Sequence, residues 1–204
     1  MSRRLGILIS GRGSNLQSII DAIQRGELQA TIAVVISNRP EAAGLLRAKE
    51  AGLETVCLRQ KDFDSRDGYD TAVADALCER AVDLVCLAGF MRLVGAPLLD
   101  AFPHRILNIH PSLLPAFGGR GMYGHHVHEA VFATGVKISG CTVHFVDDTY
   151  DTGPIILQRA IDISHCQTTT EIAAEVFKQE CQVYPDAIRL IASGKWRVEG
   201  KRVL

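Results

Sequence analysis

Strand-like and helix-like segments alternate along this chain of 204 residues, and that alternation constrains its fold more than any other feature. Short apolar runs, such as residues 5–10 and 84–87, are separated by amphipathic segments such as residues 15–24. This order is typical of a largely parallel sheet with helices on both faces. We therefore predict an α/β fold and a single Rossmann-like domain.

The individual elements follow from hydrophobic periodicity and from turn residues. The predicted strands are residues 5–10, 31–37, 55–58, 84–87, 105–109, 137–148 and 155–161. The predicted helices are residues 15–24, a segment ending at Gly52, and residues 66–80, 127–134 and 168–192. Thr168 and Glu171 match a capping box, and Glu199 with Gly200 predicts the turn of a closing hairpin.

The composition limits the classes of molecule that the chain is expected to bind. The chain has 22 basic and 23 acidic residues and no basic tract, which argues against a nucleic-acid binder. No apolar run is long enough for a membrane span or has the form of a signal peptide, and six scattered cysteines lack any C-x-x-C pair. We expect a cytoplasmic protein, monomer or homodimer, that acts on small molecules without nucleic-acid or membrane partners.

The segment SGRGSN joins the first predicted strand to the first predicted helix. Two glycines allow a tight turn, while Ser14 and Asn15 could cap a helix whose free N–H groups attract a phosphate. Leu16 stands where the dinucleotide fingerprint needs a third glycine, and no Gly-Lys-Ser/Thr ending follows. A phosphate site and a plain strand-to-helix turn both remain open.

Asn108 and His110 lie at the end of the predicted strand 105–109, just before Pro111. Strand alternation points residues two apart to the same side, so an amide donor and an imidazole would face one ligand together. This pair suits an oxygen that becomes an anion in acyl transfer. No G-x-S-x-G elbow provides a nucleophile, so a substrate amine or water would attack directly.

A carboxylate near His110 would favour its charged form. The segment VDDTYDTGP offers three aspartates after a long predicted strand, namely Asp147, Asp148 and Asp151, and the residues alone do not choose among them. A metal site built from His110 and the HHVH cluster (His125, His126, His128) is the rival interpretation. Its spacing matches no known zinc pattern, so we expect no metal.

Glu180 interrupts the apolar stripe of the last predicted helix. The stripe contains Ile172, Val176, Phe177, Tyr184, Ile188 and Ile191. A carboxylate in such a stripe is unfavourable unless it is paired. Glu180 therefore either holds a polar ligand or lies at the edge of the stripe and reaches solvent.

Five segments in order resemble the phosphoribosylglycinamide formyltransferase family, folate-dependent enzymes of purine biosynthesis. They are SGRGSN, LAGFMRLV, LNIHPSLLPAF, GCTVHFVDDTYDTGPIILQ and QECQVYP. The resemblance covers nearly the whole chain. It implies transfer of the formyl group of the co-substrate 10-formyltetrahydrofolate to the amine of glycinamide ribonucleotide, without a metal. It further implies that residues 1–100 bind phosphate and that residues 101–204 provide catalysis and folate binding.

The resemblance also assigns the site residues. It makes Asn108 and His110 the oxyanion donors and selects Asp151 as the carboxylate that orients and charges His110. The ribonucleotide would be bound by Gly13, Ser14, Asn15 and Glu180. The folate would be bound by Arg66, Met91, Arg92, Leu93, Val94, Asp147, Asp148 and Asp151.

Two features depart from this family pattern. The segment FGGRGMYGHHVH is longer than usual, which leaves the role and order of residues 116–126 open, and Cys181 replaces a common histidine beside Glu180. Related activities are less expected, since methionyl-tRNA formyltransferase and formyltetrahydrofolate hydrolase each use an additional domain that we do not expect here. Amino-sugar formyl transfer and a non-enzymatic phosphoribosyl-binding module are the remaining alternatives.

Overall fold

The structure is a computed structural model that describes residues 2–204. The strands are β1 (Arg3–Ile9), β2 (Ala30–Ser37), β3 (Thr55–Cys57), β4 (Leu84–Leu87), β5 (Ile106–His110), β6 (Ile138–Phe145), β7 (Ile155–Asp162), β8 (Val198–Glu199) and β9 (Arg202–Val203). The helices are α1 (Ser14–Gln24), α2 (Ala43–Glu50), α3 (Arg66–Cys78), α4 (Ala96–Ala101), α5 (His125–Thr134) and α6 (Thr169–Ala192), with a 3₁₀ turn at Gln60–Asp62. The chain forms two compact units, one up to Asn108 and one from Ile109 onward.

The first unit is built on parallel strands. β1 pairs with β2 on one side and β4 on the other, β3 pairs with β2, and the first half of β5 pairs with β4. Leu5, Ile7, Leu8 and Ile9 of β1 are all fully buried. A central parallel strand is covered on both faces, which is why its sequence is a continuous apolar run rather than an alternating one.

The second unit contains the antiparallel part of the fold. β6 pairs antiparallel with β7, β7 pairs parallel with β9 through Ile155 and Arg202, and β8 and β9 form a hairpin. α6 packs against β6, β7 and α5. Its buried face includes Tyr184 and Ile188, which are fully buried, and β6 contributes Val143, also fully buried.

The predicted α/β class and the mostly parallel strand arrangement are confirmed, as are the predicted hairpin and the Thr168 cap. The prediction that one strand spans residues 137–148 is wrong at its end, because β6 stops at Phe145 and residues 146–148 already belong to a loop. Helix α3 also ends at Cys78, before the predicted residue 80.

Two short elements were not predicted from the sequence. Helix α4 has only six residues and a proline in its first turn, and the 3₁₀ turn has only three residues. Neither segment is long enough to show a helical period.

Among the helices of residues 2–204, none combines the length and the apolar character needed to cross a bilayer.

The cap of α6 generates a stability prediction. The Thr168 Oγ1 accepts a hydrogen bond from the Glu171 N–H at 3.2 Å, and the Glu171 carboxylate accepts from the Gln167 N–H at 2.6 Å. Thr168→Ala should lower the free energy of unfolding by about 1 kcal/mol, because an N-terminal N–H loses its partner. Urea denaturation measures this. The control Thr170→Ala, on the exposed face of the same turn, should leave the stability unchanged or slightly higher.

Candidate active site

His110 is the last residue of β5 and is only 3% exposed. Its Nε2 lies 2.9 Å from the carbonyl oxygen of Phe117, seven residues later. A carbonyl can only accept, so the ring carries a proton on Nε2 and donates it to Phe117. The other ring nitrogen, Nδ1, is the one that faces an acid.

That acid is Asp151, as the family resemblance implies. Its Oδ2 lies 3.5 Å from His110 Nδ1 and accepts a 2.9 Å hydrogen bond from the Gly119 N–H. Its Oδ1 lies 3.6 Å from Nε2 of His144, and both the Asp151 and His144 side chains are less than a tenth exposed. The structure thus brings His110 and Asp151 together and adds His144, which lies in β6.

His144 is a site residue that the sequence analysis missed. It lies in β6 next to Phe145, whose carbonyl oxygen accepts a 2.8 Å hydrogen bond from its Nδ1. The available signal was a polar residue inside an otherwise apolar strand that leads directly to the aspartates, since such a residue needs a partner. Its spacing to Asp151 gave no hint of contact, because a loop separates them.

Burial and the charge of Asp151 have opposite effects on the pKa of His110. Burial lowers the pKa of His110 below its ordinary value, and the charge of Asp151 and the Phe117 carbonyl offset this only in part. In the free protein burial thus outweighs the effect of Asp151 on the pKa of His110, and that Asp151 charges His110 stays a prediction for the reacting site. The 3.5 Å separation from Asp151 fits an Nδ1 without a proton, since it is longer than a typical hydrogen bond.

Asp151 itself is ionised. Burial works to raise its pKa, but His144, His110 and the Gly119 N–H together hold the pKa below the ordinary value of an aspartate. The site therefore contains a buried negative charge between two imidazoles. Such a charge strongly favours any positive charge that forms beside it.

The backbone around this carboxylate is strained. Asp151 has φ 59° and Phe117 has φ 54°, both in the left-handed region that non-glycine residues rarely adopt. A Cβ added to Gly118 would lie 3.3 Å from the Cβ of Asp151, so the two chain segments approach closely there. Strain of this kind persists only where surrounding contacts enforce it and is concentrated at functional sites.

The segment after His110 is fixed by buried polar contacts. The Thr142 Oγ1 donates to the Ser112 carbonyl at 2.7 Å and accepts from the Leu114 N–H at 3.0 Å, and Gln158 donates to both Thr142 and Leu114 at 2.9 Å. The Ser112 hydroxyl donates to the Ala116 carbonyl at 2.7 Å. Ser112 therefore has a structural partner, in line with a site that uses no serine nucleophile.

Asn108 is half-buried and ends the first unit, two residues before His110 on the same strand. Both residues lie in the same strand, two positions apart. That their side chains face one ligand together stays a prediction.

Glu180 is 8% exposed in α6, so it does not reach solvent from the edge of the stripe. Burial, reinforced by the nearby Glu180 carboxylate, raises the pKa of the Cys141 thiol to about 12. Cys181, the residue that departs from the family pattern, is half-buried beside it. Glu180 is therefore a buried acid near Cys141 of β6.

The glycine loop leads from β1 into α1 in the first unit. Gly13 is the N-cap with φ 73°, and α1 begins at Ser14, so Ser14 and Asn15 do not cap the helix as expected. A Cβ on Gly13 would lie 2.7 Å from the Cα of Gly44, which explains why only glycine fits. No side chain caps α1, and a helix N-terminus of this kind favours an anion through its dipole.

The segment after β4 holds four predicted folate residues. Met91 is 47% exposed and Val94 is 2% exposed, while Arg92 and Leu93 are intermediate. Arg66 donates to the Leu93 carbonyl at 2.9 Å, so the structure brings two of the predicted residues into contact. The guanidinium of Arg92 lies 4.5 Å from the centre of the Tyr69 ring and also contacts Gln60.

The buried carboxylate of Asp70 contacts the segment after β4. Asp70, 1% exposed, accepts a 2.9 Å hydrogen bond from the Gly95 N–H and lies 3.8 Å from Arg66. Burial raises the pKa of Asp70, against the opposing effect of the Gly95 N–H and of Arg92 and Arg66. Asp70 gives the segment a fixed attachment that the sequence analysis did not identify.

Asp147 and Asp148 lie in the same loop as Asp151 but do not contact His110. Asp147 accepts from the Thr152 hydroxyl at 2.8 Å, and Asp148 is exposed and contacts the Thr149 hydroxyl at 3.2 Å. Their side chains therefore shape the loop, while Asp151 reaches the buried imidazoles.

The possible metal ligands that lie close together differ from the set considered in the sequence. Within residues 2–204 the exposed side chains of His125, His126 and Glu129 bring their ligand atoms within 4.8 Å of one another, and buried His128 and His110 are not part of that group. The cluster lies in the first turn of α5, where the helix dipole disfavours a cation.

Comparisons with known proteins place these features in context. A family model described as formyl transferase matches residues 3–188. The chain is 39% identical over 197 residues to the phosphoribosylglycinamide formyltransferase of Haemophilus influenzae, covering 97% of this chain and 91% of that protein. The crystal structure of glycinamide ribonucleotide transformylase 1 from Symbiobacterium toebii matches with a TM-score of 0.93 at 47% identity, covering 99% of this chain and 93% of that one.

A longer relative is also similar. The chain is 42% identical over 195 residues to the trifunctional purine biosynthetic protein adenosine-3 of Bos taurus, covering 96% of this chain. It spans only 19% of the length of that protein.

The balance between burial and Asp151 generates a titration prediction. In the free protein, His110 should titrate below a histidine in an unstructured peptide, and Asp151→Asn should move its midpoint lower still. The sign follows because removing a negative charge destabilises the protonated ring. Histidine-ring NMR measures both midpoints. The control Asp148→Asn changes a loop carboxylate that does not act on the pKa of His110, so an equal shift in both variants would contradict the assignment.

Proposed function

The chain belongs to the formyl transferase family, and we propose that it transfers the formyl group of 10-formyltetrahydrofolate to the amine of N1-(5-phosphoribosyl)glycinamide in de novo purine biosynthesis. The observation that carries the proposal is the buried pair of His110 and Asp151 at the end of β5. This pair provides an imidazole beside a fixed negative charge, and Ser112, two residues after His110, donates its hydroxyl to the Ala116 carbonyl. The similarity to relatives named for this reaction supports the choice of substrates.

The reaction we propose is a direct attack of the neutral amine on the formyl carbon. A C–N bond forms to the amine, the formyl oxygen becomes negative, and the bond from the same carbon to N10 of the folate then breaks. The proton released by the amine nitrogen ends on N10. The bound substrates would hold the reacting atoms in near-attack geometry, which removes much of the entropic barrier.

In this mechanism Asn108 and His110 stabilise the oxyanion. The amide N–H of Asn108 donates to it. His110, whose Nε2–H is donated to the Phe117 carbonyl, takes up the amine's proton on its unprotonated Nδ1 and stabilises the oxyanion as a nearby cation. Asp151 then stabilises that cation, because a carboxylate at 3.5 Å favours the protonated imidazole in a buried site. His110, or a water held by it, passes the proton to N10. A resting ring that is neutral suits this role better than one that is already charged.

The phosphate of the ribonucleotide is proposed to bind the backbone N–H groups of Gly13, Ser14 and Asn15. A helix N-terminus preceded by glycine favours an anion through its free N–H groups and its dipole. Glu180 is proposed to accept hydrogen bonds from the ribose hydroxyls, as the family resemblance implies.

The folate is proposed to use both charged and apolar residues. The proposed contacts are Arg66, Met91, Arg92, Leu93, Val94, Asp147, Asp148 and Asp151. The exposed Met91 offers an apolar surface for a flat ring, and the arginines offer charge for the carboxylates of the tail. Since Val94 is 2% exposed, it would act mainly by supporting this segment.

We further propose that residues 1–100 bind phosphate and that residues 101–204 provide catalysis and folate binding. Reaction by side chains and substrates alone needs neither a metal nor a covalent intermediate. The protein would act in the cytoplasm as a monomer or homodimer.

Removal of either oxyanion donor tests the mechanism. Asn108→Ala and His110→Ala should each lower kcat by about 10²–10³-fold, the usual effect of losing one donor to a developing oxyanion. Calorimetry should show that both variants still bind the ribonucleotide and the folate. The control His165→Ala, an exposed residue, should keep normal turnover. Near-normal turnover in either donor variant would refute the assignment.

A formyl-transfer assay tests the substrates. Glycinamide ribonucleotide should be formylated at least about 10³-fold faster, in kcat/KM, than glycinamide without the ribose phosphate, because remote binding energy positions the amine. Methionyl-tRNA and amino sugars should not be formylated. If the chain binds the ribonucleotide but neither binds folate nor transfers a formyl group, it is a binding module rather than an enzyme.

A further inference from the structure

The loop that carries Asp151 is held from outside the site by the C-terminal hairpin. This Asp151 loop, residues 146–154, joins β6 to β7, and the hairpin consists of β8 and β9 with a turn at Gly200, φ 61°. The loop places Asp151 in a left-handed conformation that is unfavourable by itself. Something other than local preference must therefore hold this conformation.

Lys201 provides such a contact. Its Nζ donates a 2.6 Å hydrogen bond to the carbonyl oxygen of Thr152, the residue directly after Asp151. The same ammonium lies 3.4 Å from the carboxylate of Asp147, which in turn accepts from the Thr152 hydroxyl at 2.8 Å. One cation thus contacts residues on both sides of Asp151, namely Asp147 before it and Thr152 directly after it.

The hydrogen bond to the backbone matters more than the ion pair. The Lys201 side chain is 71% exposed, and an ion pair at such a position contributes little because water and salt screen it. A charged donor on a carbonyl oxygen is a short and directional contact. It restrains the backbone of Thr152, the residue that directly follows the left-handed Asp151.

The hairpin is itself firmly attached, so it can restrain the loop. The Trp196 ring lies 5.1 Å from the Phe145 ring at the end of β6, and its Nε1 donates to the Ile191 carbonyl at 2.9 Å. Arg197 and Leu204 exchange two backbone hydrogen bonds of 2.8 and 2.9 Å. Lys201 is therefore presented to the loop from a rigid support.

We propose that Lys201 is a positioning residue, which holds the Asp151 loop so that the carboxylate faces His110. The proposal rests on the proposed formyl-transfer function, because its consequence is for the reaction. It assigns to the last ten residues a role in catalysis although they supply no group that contacts the reacting atoms.

The test compares Lys201→Met, which keeps the apolar stem and removes the donor, with Lys201→Arg, which keeps a cationic donor. Lys201→Met should lower kcat about tenfold, while KM for the ribonucleotide changes less than about twofold, since small misplacement of a catalytic group has large effects on rate. Lys201→Arg should recover most of the loss. The control Lys195→Met, in the same C-terminal segment, should match the unmodified chain in every measurement.

A readout without substrate separates this proposal from the proposed function. In Lys201→Met the NMR titration midpoint of His110 should fall, because a less well placed Asp151 supports the protonated ring less. If the unmodified chain transfers no formyl group but this midpoint falls, the function is wrong and the positioning role stands. If kcat and the midpoint are both unchanged in Lys201→Met, or if both change equally in Lys195→Met, the positioning role is wrong.

Discussion

The rest of this site depends on the contacts that hold the buried carboxylate of Asp151 in place. A negative charge inside a protein is expensive unless it is hydrogen-bonded and paired, and here two imidazoles and the Gly119 N–H surround it. These contacts lower the pKa of the carboxylate, while burial lowers the pKa of His110. The site therefore holds a fixed negative charge on Asp151 that would stabilise a proton added to His110. This suits a role in which His110 takes up a proton during the proposed reaction and releases it afterwards.

The strands position the groups of this site, and the loops orient them. β5 ends at His110 because Pro111 cannot donate to a strand partner, and the segment that follows is fixed by Thr142 and Gln158 rather than left mobile. Asp151 reaches the same ring only because its loop is bent into a left-handed turn. The stability of the strands thus allows strained conformations in the connections, where chemistry requires them.

Local patterns predicted much of the molecule and failed at definite places. The apolar runs predicted every strand from β1 to β7, because burial on both faces leaves a clear signal, and Thr168 marked the start of α6. The short helix α4 was missed because six residues show no period. The cap of α1 was misassigned because Gly13 adopts the left-handed conformation that shifts the helix start to Ser14. Each failure lies where backbone conformation, not hydrophobic periodicity, decides the structure.

The sequence by itself determined the α/β class, the positions of Asn108 and His110 at the end of a strand, and the unusual position of Glu180 in an apolar stripe. These features depend on the local spacing of residues, which can be read directly from the sequence. Only the tertiary structure decided that His144 joins His110 at Asp151 and that burial lowers the pKa of His110. It alone also revealed that Lys201 contacts the loop 49 residues earlier. Burial and long-range contacts set these properties, because a pKa depends on everything packed around a group and not on its neighbours in sequence.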